Sequence, residues 1–351
     1  MRLHFHARGA ISNLFVEPQP AFAPPSGGSE VALRVRAVGL NFRDVLNVLG
    51  EYPGDPGPPG GDVAGAVVEA CAHYASGTAG FGLAHAPLAC LARAAPLFFT
   101  CKPASVSFEQ ACTLPVTWST THAAIERAGL RAGCSMVVHA AAGGVGLKAV
   151  EYAQWLLAEG MGTAGRPHKH ALLRAAGLRA LCSSRDGGAF ASGAPRLLAA
   201  YRLRALLNSL SLDFITASFA TLGEGGAFEE IGKRGIWASD RHLASTSATL
   251  YCAIALDADM AHGPAWMHSV LSLLAARAAT GQATSLPLLS FDMEAQHELA
   301  FRTLQSGLNI GKVVVRIATR PSVDGDHIVT GGTSGLGLLT CRWLAQRGAR
   351  C

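Results

Sequence analysis

The sequence predicts an α/β protein: a partly open β-barrel, a doubly wound parallel sheet, and the opening unit of a second such sheet. Three observations predict it. Short apolar runs broken by Pro/Gly clusters fill the first 115 or so residues. From Leu114 onward strands and helices alternate, the mark of a parallel sheet covered on both faces. Two glycine-rich turns, within Val137–Gly146 and Thr330–Gly337, each join an apolar strand to a helix.

Composition bounds the function. At 351 residues the chain can hold two domains, and with 50% hydrophobic and 15% charged residues it can bury a large core. The net charge of +5 comes from scattered residues, with no basic run or aromatic-interleaved patch, which argues against a nucleic-acid partner. Nine cysteines, an odd number with no C-x-x-C, point to free thiols in a reducing compartment and to neither a disulfide framework nor a zinc lobe. No apolar run reaches the ~18 residues of a membrane span, and Met1–Gly9 lacks the apolar core of a signal peptide. A cytoplasmic enzyme with no membrane partner is expected.

Along the chain, V-A-L-R-V-R-A-V (Val31–Val38) alternates as a half-buried strand does. The cluster from Tyr52 to Gly61 must be loop, since prolines remove backbone donors. Gly65–Ala70 reads as a further strand. Thr117–Arg127 is predicted helical, Met136–His139 a strand and Gly146–Leu157 a long helix. A strand around Gly160 and Gly162 is weakened by those glycines. Lys169–Ala176 forms a helix closed by Gly177. Leu206–Leu207 is a buried strand running into Asn208, Phe214–Leu222 a helix, and Gly225–Gly232 contains a strand. Val313–Ile317 is extended and Thr319–Asp326 a linker. Ile328–Val329 then enters T-G-G-T-S-G-L-G and a helix to Arg347. One βα unit cannot bury its own apolar face, so this last segment reads as the front edge of a truncated domain.

The turn at A-x-G-x-x-G (Ala141, Gly143, Gly146) carries the chemistry. The first small residue makes the tight turn, the second lets the backbone approach a pyrophosphate, and the third packs helix on strand. An NAD-preferring fold wants an acid ~20 residues further on. The segment Thr163–His170 has no acid and offers Arg166 and Lys169, which suit a 2′-phosphate and favour NADPH. A solvated basic loop explains the same residues. Asn41, Arg43 and Asp44 read as a helix cap with a salt bridge, and His139 as a packing residue.

Taken in order, V-x-A-V-G-L-N-F-R-D-V-L, G-x-Y-P-G, G-G-D-V-A-G-A-V, T-L-P-V-T-W-S-T-T-H, H-A-A-A-G-G-V-G, L-N-S-L, I-G-K and N-I-G-K-V-V-V resemble the enoylreductase domain of type I polyketide and fatty acid synthases. That family lies in the zinc-independent quinone-oxidoreductase branch of the medium-chain dehydrogenases/reductases. The tail T-G-G-T-S-G-L-G resembles the start of a ketoreductase domain. The resemblance implies a GroES-like barrel domain from residues 1–115 and 270–318, a Rossmann-type NADPH domain at 116–269, and a linker with a ketoreductase fragment at 319–351. It implies NADPH-dependent reduction of a trans-2-enoyl thioester held by an acyl carrier protein, without a metal. Tyr52, Lys233 and Asp257 map to the family's candidates for proton supply, with a lysine–aspartate pair beside the nicotinamide, and Tyr52 can set an α-methyl configuration. Asn41, Thr117, Ala142, Gly143, Gly144, Val145, Gly146, Thr163, Arg166, Lys169, Asn208, Gly232 and Lys312 map to the cofactor site.

The sequence departs from the family at Ala70–Gly82, at Arg204 where an acid is common, at Asp62 where glutamate is usual, and at Gly160 and Gly162. Two other readings follow: a free-standing quinone or enone reductase, and a catalytically decayed remnant within a synthase.

Overall fold

The computed structural model describes residues 1–20, 30–198, 203–211, 213–233, 235–245, 248–318 and 327–346. The chain divides into two compact units, Met1–Ile317 and Ala318–Cys351.

In the first unit, β1 (Arg2–Phe5) and β2 (Leu14–Glu17) make an antiparallel hairpin. β3 (Val31–Leu40) runs two residues beyond the predicted strand and is buried almost throughout, because β4 and β6 pair with it and the helices cover it. Only Arg34 and Arg36 preserve the alternation visible in sequence. α1 (Phe42–Leu49) follows, closed by Gly50 at φ 72. β4 spans Asp62–Val67, starting three residues before the predicted Gly65, since Asp62–Val67 has antiparallel partners on both sides. β5 (Ala79–Leu83), β6 (Leu91–Ala94), β7 (Phe99–Cys101) and α2 (Phe108–Ala111) complete the first pass.

α3 (Pro115–Ala128) begins the alternation, with Pro115 where a missing N–H costs nothing. Then come β8 (Ser135–Val138), α4 (Gly144–Trp155), β9 (Glu159–Ala164), α5 (Pro167–Ala175), β10 (Ala180–Ser183), α6 (Gly187–Leu197), β11 (Leu203–Asn208), α7 (Asp213–Leu222), β12 (Ala227–Glu230), α8 (Ser239–Ser245) and β13 (Leu250–Ala253). The parallel sheet has the order β10-β9-β8-β11-β12-β13. The order of succession of the strands therefore reverses between β8 and β11, which leaves the crevice at which open α/β sheets bind ligands.

α9 (Leu256–His262) and α10 (Pro264–Ala279) lead back, and β14 (Leu288–Asp292), α11 (Met293–Ser306) and β15 (Lys312–Arg316) close the first sheet in the order β14-β15-β3-β4-β5-β7. The joint is apolar. Phe81 of the barrel, Trp118 of α3, Leu274 of α10 and Val314 of β15 belong to one continuous core. Burying a side chain of this size contributes roughly 1.5–3 kcal/mol.

In the second unit α12 spans Gly335–Gln346, while Ile328–Val329 forms no strand. A strand needs a neighbour for its backbone donors, and among the described residues of that unit there is none. The predicted linker 319–326 and Arg347 lie outside the described residues.

Candidate active site

The glycine turn is built as the spacing predicts. Gly143 caps α4, and Ala140 turns the chain at φ 49. A Cβ on Gly146 would stand 2.6 Å from the Ala141 Cα, and one on Gly144 would stand 2.9 Å from the Thr117 methyl. No side chain fits at either place, so α4 lies against β8 with its N-terminal amides exposed to the cleft. The Gly311 amide donates to the Ala142 carbonyl at 2.9 Å and ties the turn to β15.

This turn lines a cleft of about 850 Å³ that also collects Asn41, Tyr52, Thr117, Arg166, Lys169, Gly232, Lys233, Asp257 and Lys312 from the predicted set, together with Ala142 and Val145. Two predicted residues are not on its wall. Thr163 is fully buried, 3.1 Å from His139 Nδ1, and accepts from the Ala140 amide, so it props the turn from behind. Asn208 is fully buried and donates to Glu230 Oε2 at 2.7 Å. Both lie within strands whose side chains point into the sheet's packing. His139 packs, as expected: it is held by Thr163 and by Ser218 Oγ at 2.8 Å, and burial lowers its pKa to about 3.

At the adenosine end three cations converge: Arg166, Lys169 and Arg185. Burial, then Arg185 and Arg166, lower the Lys169 pKa, and its Nζ donates to the Gly307 carbonyl at 2.7 Å. Like charges gathered this closely fit an anionic group such as a 2′-phosphate. Arg185 follows β10 and had no local signal in the sequence, because its neighbours come from a different loop.

At the opposite end Lys312 is 3% exposed and pairs with Asp62 Oδ2 at 2.8 Å. Its Nζ also reaches Asn41 Oδ1. Asp62 accepts from Asn41 Nδ2 at 3.0 Å and from the Val116 amide at 2.7 Å. One carboxylate thus anchors β4, the entry to α1, β15 and the first turn of α3.

Between these ends lie the proton-supply candidates. Lys233 Nζ donates to the Ile254 carbonyl at 2.8 Å. Its pKa is lowered by burial, against Asp257 and Glu230, which raise it. Lys233 and Asp257 both line the cleft, and the Asp257 carboxylate pairs with Arg43 at 3.5 Å and shares a side-chain hydrogen bond with Tyr52. Tyr52 lies under Arg43, with the guanidinium 4.9 Å from the ring centre, and its pKa is raised chiefly by burial.

No protein-family profile matches the chain. The spectinabilin polyketide synthase system protein NorB of Streptomyces orinoci is 36% identical over 346 residues, covering 97% of this chain and 16% of NorB. The crystal structure of CurK enoyl reductase superposes with a TM-score of 0.84 at 31% identity, covering 90% of this chain and 99% of that one. The chain belongs to the enoyl reductases of polyketide synthases. It spans about a sixth of NorB's length. The Escherichia coli quinone oxidoreductase solved with NADPH shares the fold, with a TM-score of 0.79 at 21% identity.

The departures from the enoyl reductase pattern each have a packing reason. Cβ atoms on Gly160 and Gly162 would meet Leu178 at 2.9 and 2.5 Å, so β9 needs glycine there and forms a full strand. Arg204 donates to the Ala128 carbonyl at 2.8 Å and the Gly225 carbonyl at 2.9 Å, satisfying the last turn of α3. Gly80 and Gly82 of β5 make room for Phe99 and the Phe98 carbonyl.

Proposed function

We propose that this chain reduces a trans-2-enoyl thioester on an acyl carrier protein with NADPH, inside a polyketide synthase module whose neighbours include a ketoreductase. The observation that carries the reading is a single continuous cleft holding the glycine turn, a three-cation end and the Tyr52–Lys233 pair. We assign residues 1–115 and 270–318 to the barrel domain and 116–269 to the cofactor domain.

The residues fit NADPH. Gly143–Gly146 and the α4 N-terminus suit the pyrophosphate, Arg166, Lys169 and Arg185 the 2′-phosphate, and Asn41 and Thr117 the nicotinamide end. When bound, NADPH supplies the hydride that the thioester takes at its β-carbon. The α-carbon then needs one proton. Tyr52 and Lys233 each carry one at the cleft wall, and burial makes the Lys233 ammonium readier to give it up. Solvent entering the open cleft returns the proton to the donor.

The test is NADPH oxidation by folded protein with crotonyl-pantetheine. Turnover is expected. No turnover beside an active related domain overturns the reading, and a preference for quinones over enoyl thioesters replaces it with a quinone reductase.

A further inference from the structure

Arg43 makes three contacts that tie α1 to two other segments, α9 and the proline-rich loop. It leaves the first turn of α1 in the barrel. Its Nη2 lies 3.5 Å from Asp257 Oδ2 on α9, beyond the parallel sheet, and 3.5 Å from the Pro56 carbonyl in the proline-rich loop. Its Cζ stands 4.9 Å from the centre of the Tyr52 ring, in cation–π range. The side chain is 41% exposed, so it braces the mouth of the cleft without being part of the core. Asp257 is thereby turned toward Arg43, and Lys233 is left bonded to a backbone carbonyl instead of to a carboxylate.

We infer that Arg43 is a positioning residue that determines from which face the α-carbon is protonated, by clamping the Tyr52 loop to Asp257 and keeping that carboxylate off Lys233. The inference rests on the enoyl reduction proposed above. With the clamp closed, Tyr52 stays fixed on the cleft wall under Arg43, and Lys233, bonded to the Ile254 carbonyl, remains a separate donor. With the clamp removed, the proline-rich loop keeps its Tyr52–Asp257 side-chain hydrogen bond but loses the guanidinium tie to α9, and Asp257 loses the cation that competes with Lys233 for it. A 2-methyl-enoyl substrate would then be protonated from both sides.

The charges agree with this geometry. Tyr52 feels Arg43, which lowers its pKa, and Asp257, which raises it. Lys233 feels Asp257, Glu230 and Asp259, which raise its pKa, and Arg43, which lowers it. Loss of the guanidinium therefore moves both donors in the same direction, toward holding their protons to higher pH.

The experiment compares wild type with Arg43→Gln, Arg43→Lys, Asp257→Asn and the Arg43→Gln/Asp257→Asn double variant. Each full chain is assayed with NADPH and 2-methylbut-2-enoyl-pantetheine, with thermal unfolding and NADPH binding measured alongside. Expected for Arg43→Gln are a product mixture at the α-methyl centre, a tenfold or larger fall in kcat, an NADPH affinity within twofold of wild type, and an alkaline limb of kcat moved to higher pH. Arg43→Lys should restore part of the configuration, and the double variant should be no worse than its worse single. Wild-type turnover is the control: without it the enoyl reduction fails, not this inference. Unchanged configuration and pH profile in an active Arg43→Gln enzyme overturn the clamp, as do additive losses in the double variant. If Arg43→Gln does not fold, the product configuration of Asp257→Asn decides the matter, since that change opens the clamp from its other end, and its alkaline limb should move to lower pH because Asp257 raises both donors.

Discussion

Replacing Asp62 by asparagine would leave the Lys312 ammonium almost fully buried without its ion-pair partner. Breaking a buried pair from one side costs about 3–5 kcal/mol, because the remaining charge keeps its desolvation penalty. Asp62→Asn should therefore lose about that much in urea unfolding. Asp62→Glu keeps the charge but adds a methylene at a fully buried position, and should cost a smaller 1–3 kcal/mol, roughly the range for overpacking. At the other end of the cleft, Arg185→Ala and Arg166→Ala should each weaken NADPH about tenfold, the effect of losing roughly 1.4 kcal/mol, with little change for NADH. Fluorescence titration with both cofactors measures the difference. Arg166 and Lys169 were legible in the sequence because they follow the glycine turn on the next strand and helix. Asp62, Arg43 and Arg185 were not assigned to the site, since their partners come from distant segments: Asp62 meets Lys312, and Arg43 meets Asp257. Nothing in local spacing signals such pairs.

At the scale of elements, β12 places two consecutive carboxyls, Glu229 and Glu230, where burial raises each pKa from 4.5 to about 7. Between pH 4.5 and 7 the folded chain holds protons there that the unfolded chain has released, so each group makes the fold more stable as pH falls through 7. His139 acts in the opposite sense. It stays neutral in the fold down to about pH 3 but gains a proton near 6.5 when unfolded, so its contribution is lost as pH falls below 6.5. From these three groups, two protons oppose one between pH 5 and 6.5, while His122 and His242, whose pKa values burial also lowers, act in the same sense as His139. Glu229→Gln removes one of the two carboxyls, so as pH falls from 6.5 to 5 its urea stability should fall behind that of wild type by about 1.4 kcal/mol per pH unit. Equal pH slopes for the two proteins would contradict the burial argument. Elements with a strong local period, such as α3, α4 and α5, were legible within a few residues. β9 looked weak by propensity and is a full strand, because its glycines admit Leu178 and Ala141. β4 started early and Ile328–Val329 formed no strand for the same physical reason: strand pairing depends on a neighbour that the segment itself does not name.

For the molecule as a whole, the division after Ile317 makes a prediction about folding. Residues 1–317 contain the six-stranded and seven-stranded sheets, the joint formed by Phe81, Trp118, Leu274 and Val314, and every residue placed in the cleft. The described residues of the remaining 34 hold one helix, α12, with Leu336 82% and Leu339 61% exposed. Below about 40 residues a chain without disulfide or metal seldom buries enough apolar area to offset its conformational entropy. A protein ending at Ile317 should therefore keep the melting temperature of the full chain's main transition within a few degrees and bind NADPH with equal affinity. The peptide of residues 318–351 should show little helix by far-ultraviolet circular dichroism, since isolated helices shorter than roughly 12–15 residues are marginal in water. A melting temperature lowered by ten degrees or more in the shortened protein would mean that the tail contributes to the main fold. A strongly helical, cooperatively melting peptide would mean that the second glycine turn and α12 already form a self-sufficient unit. Either outcome would contradict a division after Ile317 into a self-sufficient main unit and a tail too short to fold by itself.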